Sequence, residues 1–360
     1  ICIVVSTIIN ILASKMFKKN KKKTGIFLLV LSLLVVSIIA GARTIYVGTD
    51  VRGYVVRLTN VFKSSKGIFS VYMRNAGSEL LFSVLVYIGY YFRGMNQLLF
   101  LIEFAVALPI FIYAYLEKDK IPIPITIFVF FTTMYCLSLS MMRQSIAISM
   151  CILAYYWYDK NEKKKAYVAL LIAFLFHTTA IIFFSAFVIN KLFKQNIPKK
   201  GVLIPLIFIS LFTLSPLLIQ LISVTSYSSY LTSTEFMREF SWASILKKLI
   251  FVIMWMFCTM MKKDSKFKET SQMGLTFSLL SLFLTILSFS IPGMGRVGYY
   301  FAYLVNFLTI KEFPKIFKQK RFVTALLLLL YTFLWWHMTV VPNDPSAVYP
   351  YKSDIFDFLN

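Results

Sequence analysis

Long apolar stretches alternate with short runs of lysine along this chain, and that alternation constrains its fold more than any other feature. Several stretches have about the 20 residues that a helix needs to cross the hydrocarbon core of a bilayer. Of 360 residues, 59% are hydrophobic and 15% are charged, whereas about a quarter of the residues in a soluble domain are charged. The sequence therefore predicts an all-α, polytopic transmembrane helical bundle with roughly 10–12 membrane segments, and it excludes a soluble domain.

The net charge of +23 comes mainly from lysines that lie between the apolar stretches. Lysine in this position sets membrane topology, because cytoplasmic loops carry the excess of positive charge and face anionic lipid. A nucleic-acid-binding protein would instead gather basic and aromatic residues on one soluble face. Membrane lipid is thus the predicted partner of these lysines, and nucleic acid is not.

Placing the lysine runs in the cytoplasm predicts the path of the chain. From Lys118 onward the spans pair if residues 166–190 form a short hairpin with His177 at its outer apex. If residues 166–190 were one long span, the basic residues at 191–200 would lie outside. Residues 80–92 are too few to cross the bilayer, so we interpret them as a half-membrane or interfacial helix.

This topology gives a single integral membrane domain over residues 1–360, with an outer loop at 43–79 and a Ser/Tyr-rich outer loop at 223–244. It also separates the two basic residue types, since most lysines face inward while most arginines lie at or beyond the outer membrane edge. Arginine grips phosphate or carboxylate through two parallel hydrogen bonds, which gives these residues a reason to face outward. The outer arginines are Arg43, Arg52, Arg57, Arg74, Arg143, Arg238 and Arg296.

Two candidate motifs lie in the first half of the chain. Residues 42–50 read Ala-Arg-Thr-Ile-Tyr-Val-Gly-Thr-Asp, and Asp50 would orient a sugar hydroxyl or hold an arginine. An ordinary loop with an Asp–Arg pair is the simpler interpretation. Arg143 begins the sequence Arg-Gln-Ser near the outer interface, where an ionisable group is costly unless it is partnered or wetted. The simpler alternative for Arg143 is an arginine bound to lipid headgroups.

Two further motifs lie downstream. His177 divides an apolar stretch, and histidine is the side chain that most often serves as a general base, although a lone histidine is more often a core residue. Residues 291–300 contain three glycines and a proline and present Arg296 beside Tyr299 and Tyr300, where the alternative is a plain interhelical turn. No soluble-enzyme motif, zinc-ligand spacing or carboxylate pair accompanies them.

These four motifs resemble the EpsG family of Wzy-like polysaccharide polymerases in order and spacing. The residues that carry the resemblance are Arg43, Gly48, Thr49, Asp50 and Tyr54, then Arg143, Gln144, Ile146 and Ala147, then Phe176, His177 and Thr178, and finally Arg296, Tyr299 and Tyr300. The resemblance covers nearly the whole chain. It implies a glycosyltransferase-C-like membrane fold, and no metal or other cofactor.

The resemblance also implies a reaction on the outer leaflet of the bacterial cytoplasmic membrane. A growing glycan leaves its polyprenyl diphosphate and is transferred to a hydroxyl of the incoming lipid-linked oligosaccharide. His177 is the first candidate for the base and Asp50 the second. The candidates for binding the diphosphate are Arg143, Arg296, Arg43, Gln144 and Tyr299. A chain-length regulator and a flippase are the implied protein partners.

Three other functions stay open on the sequence alone. A flippase or exporter of lipid-linked oligosaccharide would also use outer arginines, but it should carry charges at mid-membrane and on both faces. A membrane O-acyltransferase pairs arginine with histidine, but it needs a route for a cytoplasmic acyl donor. A non-catalytic assembly subunit is the third alternative.

Overall fold

The computed structural model describes residues 2–57, 59–60, 79–91, 94–194, 241–261, 265–291, 293–339, 348, 351–353 and 355–356. Within these ranges the regular structure is helical, with one isolated β-bridge between Arg43 and Ser353. The chain divides into two compact units, and the single integral membrane domain stays a prediction. The first unit is Ile1–Ile181 with Phe322–Asn360, and the second is Ile182–Arg321.

The first unit is built mainly from antiparallel pairs of helices. Its helices are α1 (Cys2–Lys18), α2 (Lys22–Gly41), α3 (Leu80–Tyr91), α4 (Met95–Leu116), α5 (Ile123–Phe130), α6 (Met142–Asp159), α7 (Lys163–Phe176) and α12 (Lys320–Thr339). Helix α4 lies at the centre, since it packs against α2, α3, α5 and α6. Helix α7 packs against α6 and α3, and α1 packs against α2 and α5.

The second unit contains the helices α8 (Phe184–Lys194), α9 (Trp242–Met260), α10 (Ser265–Leu287) and α11 (Met294–Glu312). Helix α10 packs against the other three. The predicted apolar stretch at 201–222 and most of the Ser/Tyr-rich loop, residues 223–240, lie outside the described residues, as do Arg74 and Arg238. The end of that predicted loop is helical, because Ser241 caps α9 by accepting a hydrogen bond from the Ser244 amide.

Four helices in the described ranges are long and apolar enough to cross a membrane, namely α2, α4, α9 and α10. Shorter apolar helices include Leu80–Gly89 and Ile123–Ser138. The short helix predicted at 80–92 is therefore present as α3. The chain is an all-α polytopic membrane protein, as its sequence predicts.

Two turns in the first unit use a left-handed asparagine that directly follows a lysine. Asn20 ends α1 with φ 57°, and Asn161 ends α6 with φ 64°. Asparagine tolerates this conformation better than most residues, so it ends a helix cleanly. Lysines at helix C-termini, such as Lys18, also complement the partial negative charge there.

These basic turns lie at one end of the first unit. Glu117, just after α4, accepts a hydrogen bond from Lys120 at 3.4 Å, and its Oε1 lies 3.7 Å from Nζ of Lys160. The ring of Phe17 at the end of α1 contacts Tyr115 near the end of α4, with centroids 5.5 Å apart. The turns after α1, α4 and α6 are therefore neighbours, as expected if all three face the cytoplasm.

Two segments of π-helix interrupt the regular structure of the first unit. One is Val51–Val56, within the predicted outer loop at 43–79, and the other is Phe131–Tyr135, which follows α5. After the second, a single α-helical turn, Cys136–Ser138, leads to the start of α6. A π-helix holds more residues per turn than an α-helix and often occurs beside functional sites.

Helices α1 and α2 are joined by buried polar side chains. The hydroxyls of Ser6 and Ser32 lie 2.6 Å apart, and Asn10 donates to Ser32 at 2.8 Å. All three residues are fully buried. Hydrogen bonds of this kind hold helices together where lipid offers no hydrophobic driving force.

A close contact between α9 and α10 gives a test of the packing in the second unit. A Cβ added at Gly274 would lie 2.4 Å from the buried ring of Trp255, whose indole donates to Thr309 at 3.0 Å. We expect Gly274→Ala to lower the free energy of unfolding by about 1–3 kcal/mol, because the ring has to move and its hydrogen bond is strained. The midpoint of thermal unfolding in detergent measures this effect.

Gly53→Ala is the matched control, because a Cβ at Gly53 would meet no such atom within 4 Å. Equal midpoints for the two variants would contradict the packing described for Gly274.

Candidate functional site

The end of the first unit away from the basic turns brings Arg143 and His177 together. Helix α6 begins at Met142, so Arg143 is in its first turn, and α6 runs to Asp159 beside the lysines. Helix α7 returns antiparallel from Lys163 and ends at Phe176, directly before His177. His177 has extended backbone (φ −159°, ψ 116°), which confirms the predicted helix break at this residue.

The carboxylate of Glu79 joins these two residues. Its Oε2 accepts a hydrogen bond from Nη1 of Arg143 at 2.6 Å, and its Oε1 lies 2.6 Å from Nδ1 of His177. Glu79 stands directly before α3, which packs against α7. Three chain segments therefore meet here, and Tyr54 adds a fourth. We call the four residues Glu79, Arg143, His177 and Tyr54 the Glu79 cluster.

Tyr54 belongs to the cluster because its ring lies beneath the guanidinium of Arg143, 3.8 Å from Cζ to the ring centroid. The ring of Phe82 approaches the same guanidinium at 5.9 Å. A guanidinium stacked on an aromatic face is held in one plane and gains cation–π attraction. Tyr54 therefore fixes the plane of Arg143, while Glu79 fixes its direction.

Burial differs among Glu79, Arg143 and His177. The side chain of Glu79 is 3% exposed, whereas those of Arg143 and His177 are 13% and 14% exposed. The carboxylate is therefore enclosed, while its two partners keep some access to a ligand. The bond to Glu79 uses one of the five N–H donors that a guanidinium carries.

The pKa of Glu79 reflects these surroundings. Burial is the largest single influence and raises the pKa, but the hydrogen bond with His177, the charge of Arg143 and smaller influences beside them together outweigh burial, so the pKa lies below its usual value of 4.5. Glu79 is therefore ionised at neutral pH. Since an ionised carboxylate only accepts hydrogen bonds, Nδ1 of His177 carries a proton and donates it to Oε1.

This arrangement leaves Nε2 of His177 as the nitrogen that can exchange a proton with a ligand. A histidine oriented by a carboxylate through Nδ1, beside a fixed cation, is a combination used for general-base catalysis with stabilisation of negative charge. Among the residues that the structure describes, no group of three or more His, Cys, Asp or Glu side chains could hold a metal ion.

The other predicted residues of the first unit occupy different positions. Asp50 precedes the π-helix Val51–Val56, and its charge acts on Arg143. Gln144 is 4% exposed in the first turn of α6. Arg43 is only 1% exposed, and its Nη1 donates to the carbonyl of Ala40 at 2.7 Å.

Arg296 and Tyr299 lie in the second unit, in the first turns of α11. The helix is preceded by Gly293 with φ 84°, which agrees with the predicted break in the Gly-rich motif. The ring of Tyr299 lies 5.7 Å from Nζ of Lys248 and 5.9 Å from the ring of Tyr303, centroid to centroid.

Glu79 is the member of the site that the sequence does not reveal. It lies 64 residues before Arg143 and 98 before His177, and no motif or periodicity joins them. The one available signal is that the chain has only 15 acidic residues, so a carboxylate directly before an apolar helix is uncommon here.

The lowered pKa of Glu79 predicts how stability depends on pH. A carboxylate with a lower pKa in the folded state stabilises the protein fully above its unfolded pKa, and this stability is lost as pH falls through the folded pKa. We therefore expect Glu79→Gln to lower the thermal midpoint near neutral pH, and the difference from wild type to shrink below about pH 4.5.

Glu162→Gln is the control, because the Glu162 carboxylate is 54% exposed and pairs only with Lys165 at 3.4 Å among the contacts described. The comparison uses thermal midpoints measured in detergent between about pH 3 and pH 8, a range that includes the ordinary pKa values of carboxyl groups. A difference between wild type and Glu79→Gln that is constant across this range would contradict the assignment.

Comparison with known sequences confirms the family resemblance. The model of the EpsG family matches residues 26–353, a range that contains every member of the Glu79 cluster and the start of α11. No curated protein and no solved structure matches the chain. The family match covers most of the sequence, and the chain therefore belongs to the EpsG family.

Proposed function

We propose that this protein polymerises polyprenyl-diphosphate-linked oligosaccharides on the outer leaflet, by transferring the growing glycan to a hydroxyl of the incoming unit. Membership of the EpsG family supports a polysaccharide-polymerase role in general. The observation that carries the specific reaction is the Glu79 bridge, because one buried carboxylate orients both a candidate base and a fixed cation.

His177 is the proposed base. Its Nε2 takes the proton of the acceptor hydroxyl while that oxygen bonds to the anomeric carbon of the donor glycan. Glu79 accepts the Nδ1–H bond and stabilises the imidazolium that forms. Asp50, the second candidate for the base, instead acts on the charge of Arg143 in this structure, so we assign it an electrostatic role.

Arg143 is the proposed partner of the leaving group. As the bond from the anomeric carbon to the diphosphate breaks, the electron pair stays on the diphosphate oxygen, and polyprenyl diphosphate is released. A guanidinium held in place by Glu79 and Tyr54 stabilises that charge without having to reorganise. Arg296 and Tyr299, in the second unit, keep their proposed role in diphosphate binding on the strength of the sequence resemblance.

The two ends of the first unit support the proposed side of the membrane. Helix α6 leads from Arg143 to the lysines near Asn161, and its 18 residues rise about 27 Å, close to the thickness of the hydrocarbon core. With the basic turns in the cytoplasm, the Glu79 cluster faces the opposite leaflet, where a lipid diphosphate would meet it.

A polymerase differs from the other candidate functions in its product. Purified protein incubated in detergent with lipid-linked repeat units should give a ladder of longer glycans. A flippase, an O-acyltransferase or a non-catalytic subunit would leave the units unjoined. A histidine oriented by a buried carboxylate favours catalysis over transport, because moving a lipid-linked unit needs no proton transfer from its hydroxyls.

Replacing the arginines tests the proposed binding of diphosphate. We expect Arg143→Lys to slow polymer formation on the order of 10²-fold, because lysine keeps the charge but loses the planar fork and the stacking on Tyr54. Arg296→Lys should also lose much of the activity. The rate is read from the glycan ladder, with membrane insertion checked in parallel.

Arg321→Lys is the control, because Arg321 is exposed within the last basic run and should tolerate the change. Polymer of full length and normal rate from Arg143→Lys or Arg296→Lys would refute the role of the residue concerned.

Replacing His177 and Glu79 tests the proposed base. We expect His177→Gln to slow the reaction on the order of 10²- to 10⁴-fold, the range that general-base catalysis supplies. Glu79→Gln should slow it about 10²-fold, and the two effects should not add in full: the double variant should be slower than His177→Gln by less than about 10²-fold, because Glu79 acts partly through His177 and partly through Arg143.

His337→Gln is the control, since His337 is the other of the two histidines in the chain and lies in α12. A His177→Gln protein that makes polymer at the wild-type rate would exclude His177 as the base.

A further inference from the structure

The segment that follows α2 contacts the turn that precedes α6, and these contacts give the first sequence motif a role of its own. We propose that Arg43, Gly48 and Thr49 are positioning residues: they fix the turn at Leu139–Met141, and through it the placement of Arg143 against Glu79. This inference rests on the proposed function of Arg143. It replaces direct contact with substrate as the role of Arg43.

Arg43 is enclosed in a polar network rather than presented to a ligand. Besides its bond to Ala40, its Nη2 lies 3.4 Å from the carbonyl of Leu139 and 3.5 Å from Sδ of Met142. With 1% exposure, its guanidinium has no room for a diphosphate. Its contacts instead join the end of α2 to the first residue of α6.

One buried carboxylate acts on the guanidinium of Arg43. Glu103 of α4 is fully buried and acts electrostatically on Arg43. The hydroxyl of Ser138 lies 3.0 Å from both carboxylate oxygens of Glu103. Ser138 is the residue directly before Leu139. Glu103 therefore contacts the chain just before the turn, and Arg43 contacts it at Leu139 and just after the turn at Met142.

Gly48 allows the closest approach in this contact. It has φ 93°, a conformation that side chains with a Cβ rarely adopt, and a Cβ there would lie 2.1 Å from the carbonyl oxygen of Leu139. The next residue, Thr49, has its hydroxyl 2.7 Å from that of Ser140. Three positions of the motif, Arg43, Gly48 and Thr49, therefore meet the consecutive residues Leu139 and Ser140.

The C-terminal segment completes this arrangement from the other side. The amide of Thr44 donates to the carbonyl of Lys352 at 3.0 Å, and Ser353 donates to the carbonyl of Ala42 at 2.8 Å. The hydroxyl of Tyr351 donates to the carbonyl of Ile39. Arg43 thus lies between the turn and the C-terminal segment, so its backbone is held as firmly as its side chain.

The turn decides where Arg143 lies. The amide of Met142 bonds to the carbonyl of Ser140 at 3.0 Å, and Arg143 follows as the second residue of α6. Its 2.6 Å bond to Glu79 would be lost after a displacement of about 1 Å, and misplacements of that size cost up to about 10²-fold in rate. A change in the turn should therefore act on the reaction through Arg143.

Thr49→Val tests this with the least disturbance, because it removes the hydroxyl and keeps the shape. We expect kcat to fall between about 10- and 100-fold with little change in KM, and Thr49→Ser to restore it. In the Arg143→Lys background, Thr49→Val should change kcat by less than about twofold, because its effect passes through Arg143. Gly48→Ala should show a larger loss.

Ser6→Ala is the control, since it also removes a hydroxyl pair in the same unit, the 2.6 Å contact with Ser32. Because Ser6 is fully buried and Thr49 is exposed, Ser6→Ala should lower the thermal midpoint at least as much as Thr49→Val does, with no loss of kcat. If Thr49→Val behaves like Ser6→Ala, or if its effect adds in full to that of Arg143→Lys, the inference is wrong.

A second measurement separates this inference from the proposed function, because it needs no activity. If the turn sets the Glu79–Arg143 bond, Glu79→Gln should lower the thermal midpoint less in the Thr49→Val protein than in wild type. Equal losses in the two backgrounds would overturn the inference even if polymer forms. A wild-type protein that makes no polymer overturns the proposed function, while the midpoint comparison still decides the inference.

Discussion

An ionised carboxylate enclosed at the end of a membrane protein is stable only while positive or hydrogen-bonding partners surround it. Glu79 meets that requirement with Arg143 on one oxygen and His177 on the other. Because burying an unpaired charge costs much free energy, Arg143 and His177 are both held within hydrogen-bonding distance of Glu79. The same contacts that keep the carboxylate stable also orient His177, the proposed base, and the guanidinium of Arg143. In the proposed mechanism, stability and chemistry thus depend on the same two hydrogen bonds.

Much of the helical architecture of the first unit is predictable from the sequence, because residues with known preferences for helix ends lie where the helices stop. Lysine runs follow α1 and α6, and asparagine in the left-handed conformation ends both helices. The break at His177 is also visible, since it divides an apolar stretch into two pieces that are each too short to span. The segment Val51–Val56 is not predictable in this way. It lies in a polar stretch that resembles an ordinary loop, yet it is helical.

The site is predictable only in part, because its pairings are long-range. Arg143 and His177 stand out as polar residues in apolar surroundings, while Glu79 looks like the end of a loop. Arg43 is a different case: an arginine beyond a spanning helix predicts contact with a ligand, whereas in the structure Arg43 is buried and a carboxylate within α4, Glu103, acts on its charge. A residue type indicates which partner it needs, and only the folded chain shows whether that partner is a substrate or another residue.

The π-helix at Val51–Val56 has a consequence for insertions and deletions. Removing one residue from such a segment restores the α-helical repeat and turns everything beyond it by about 100° around the helix axis. The ring of Tyr54, which lies beneath the guanidinium of Arg143, would then face elsewhere. A substitution in this segment changes one side chain, whereas an insertion or deletion changes the direction of every side chain that follows it in the helix. The number of residues in this segment is therefore constrained more tightly than their identity.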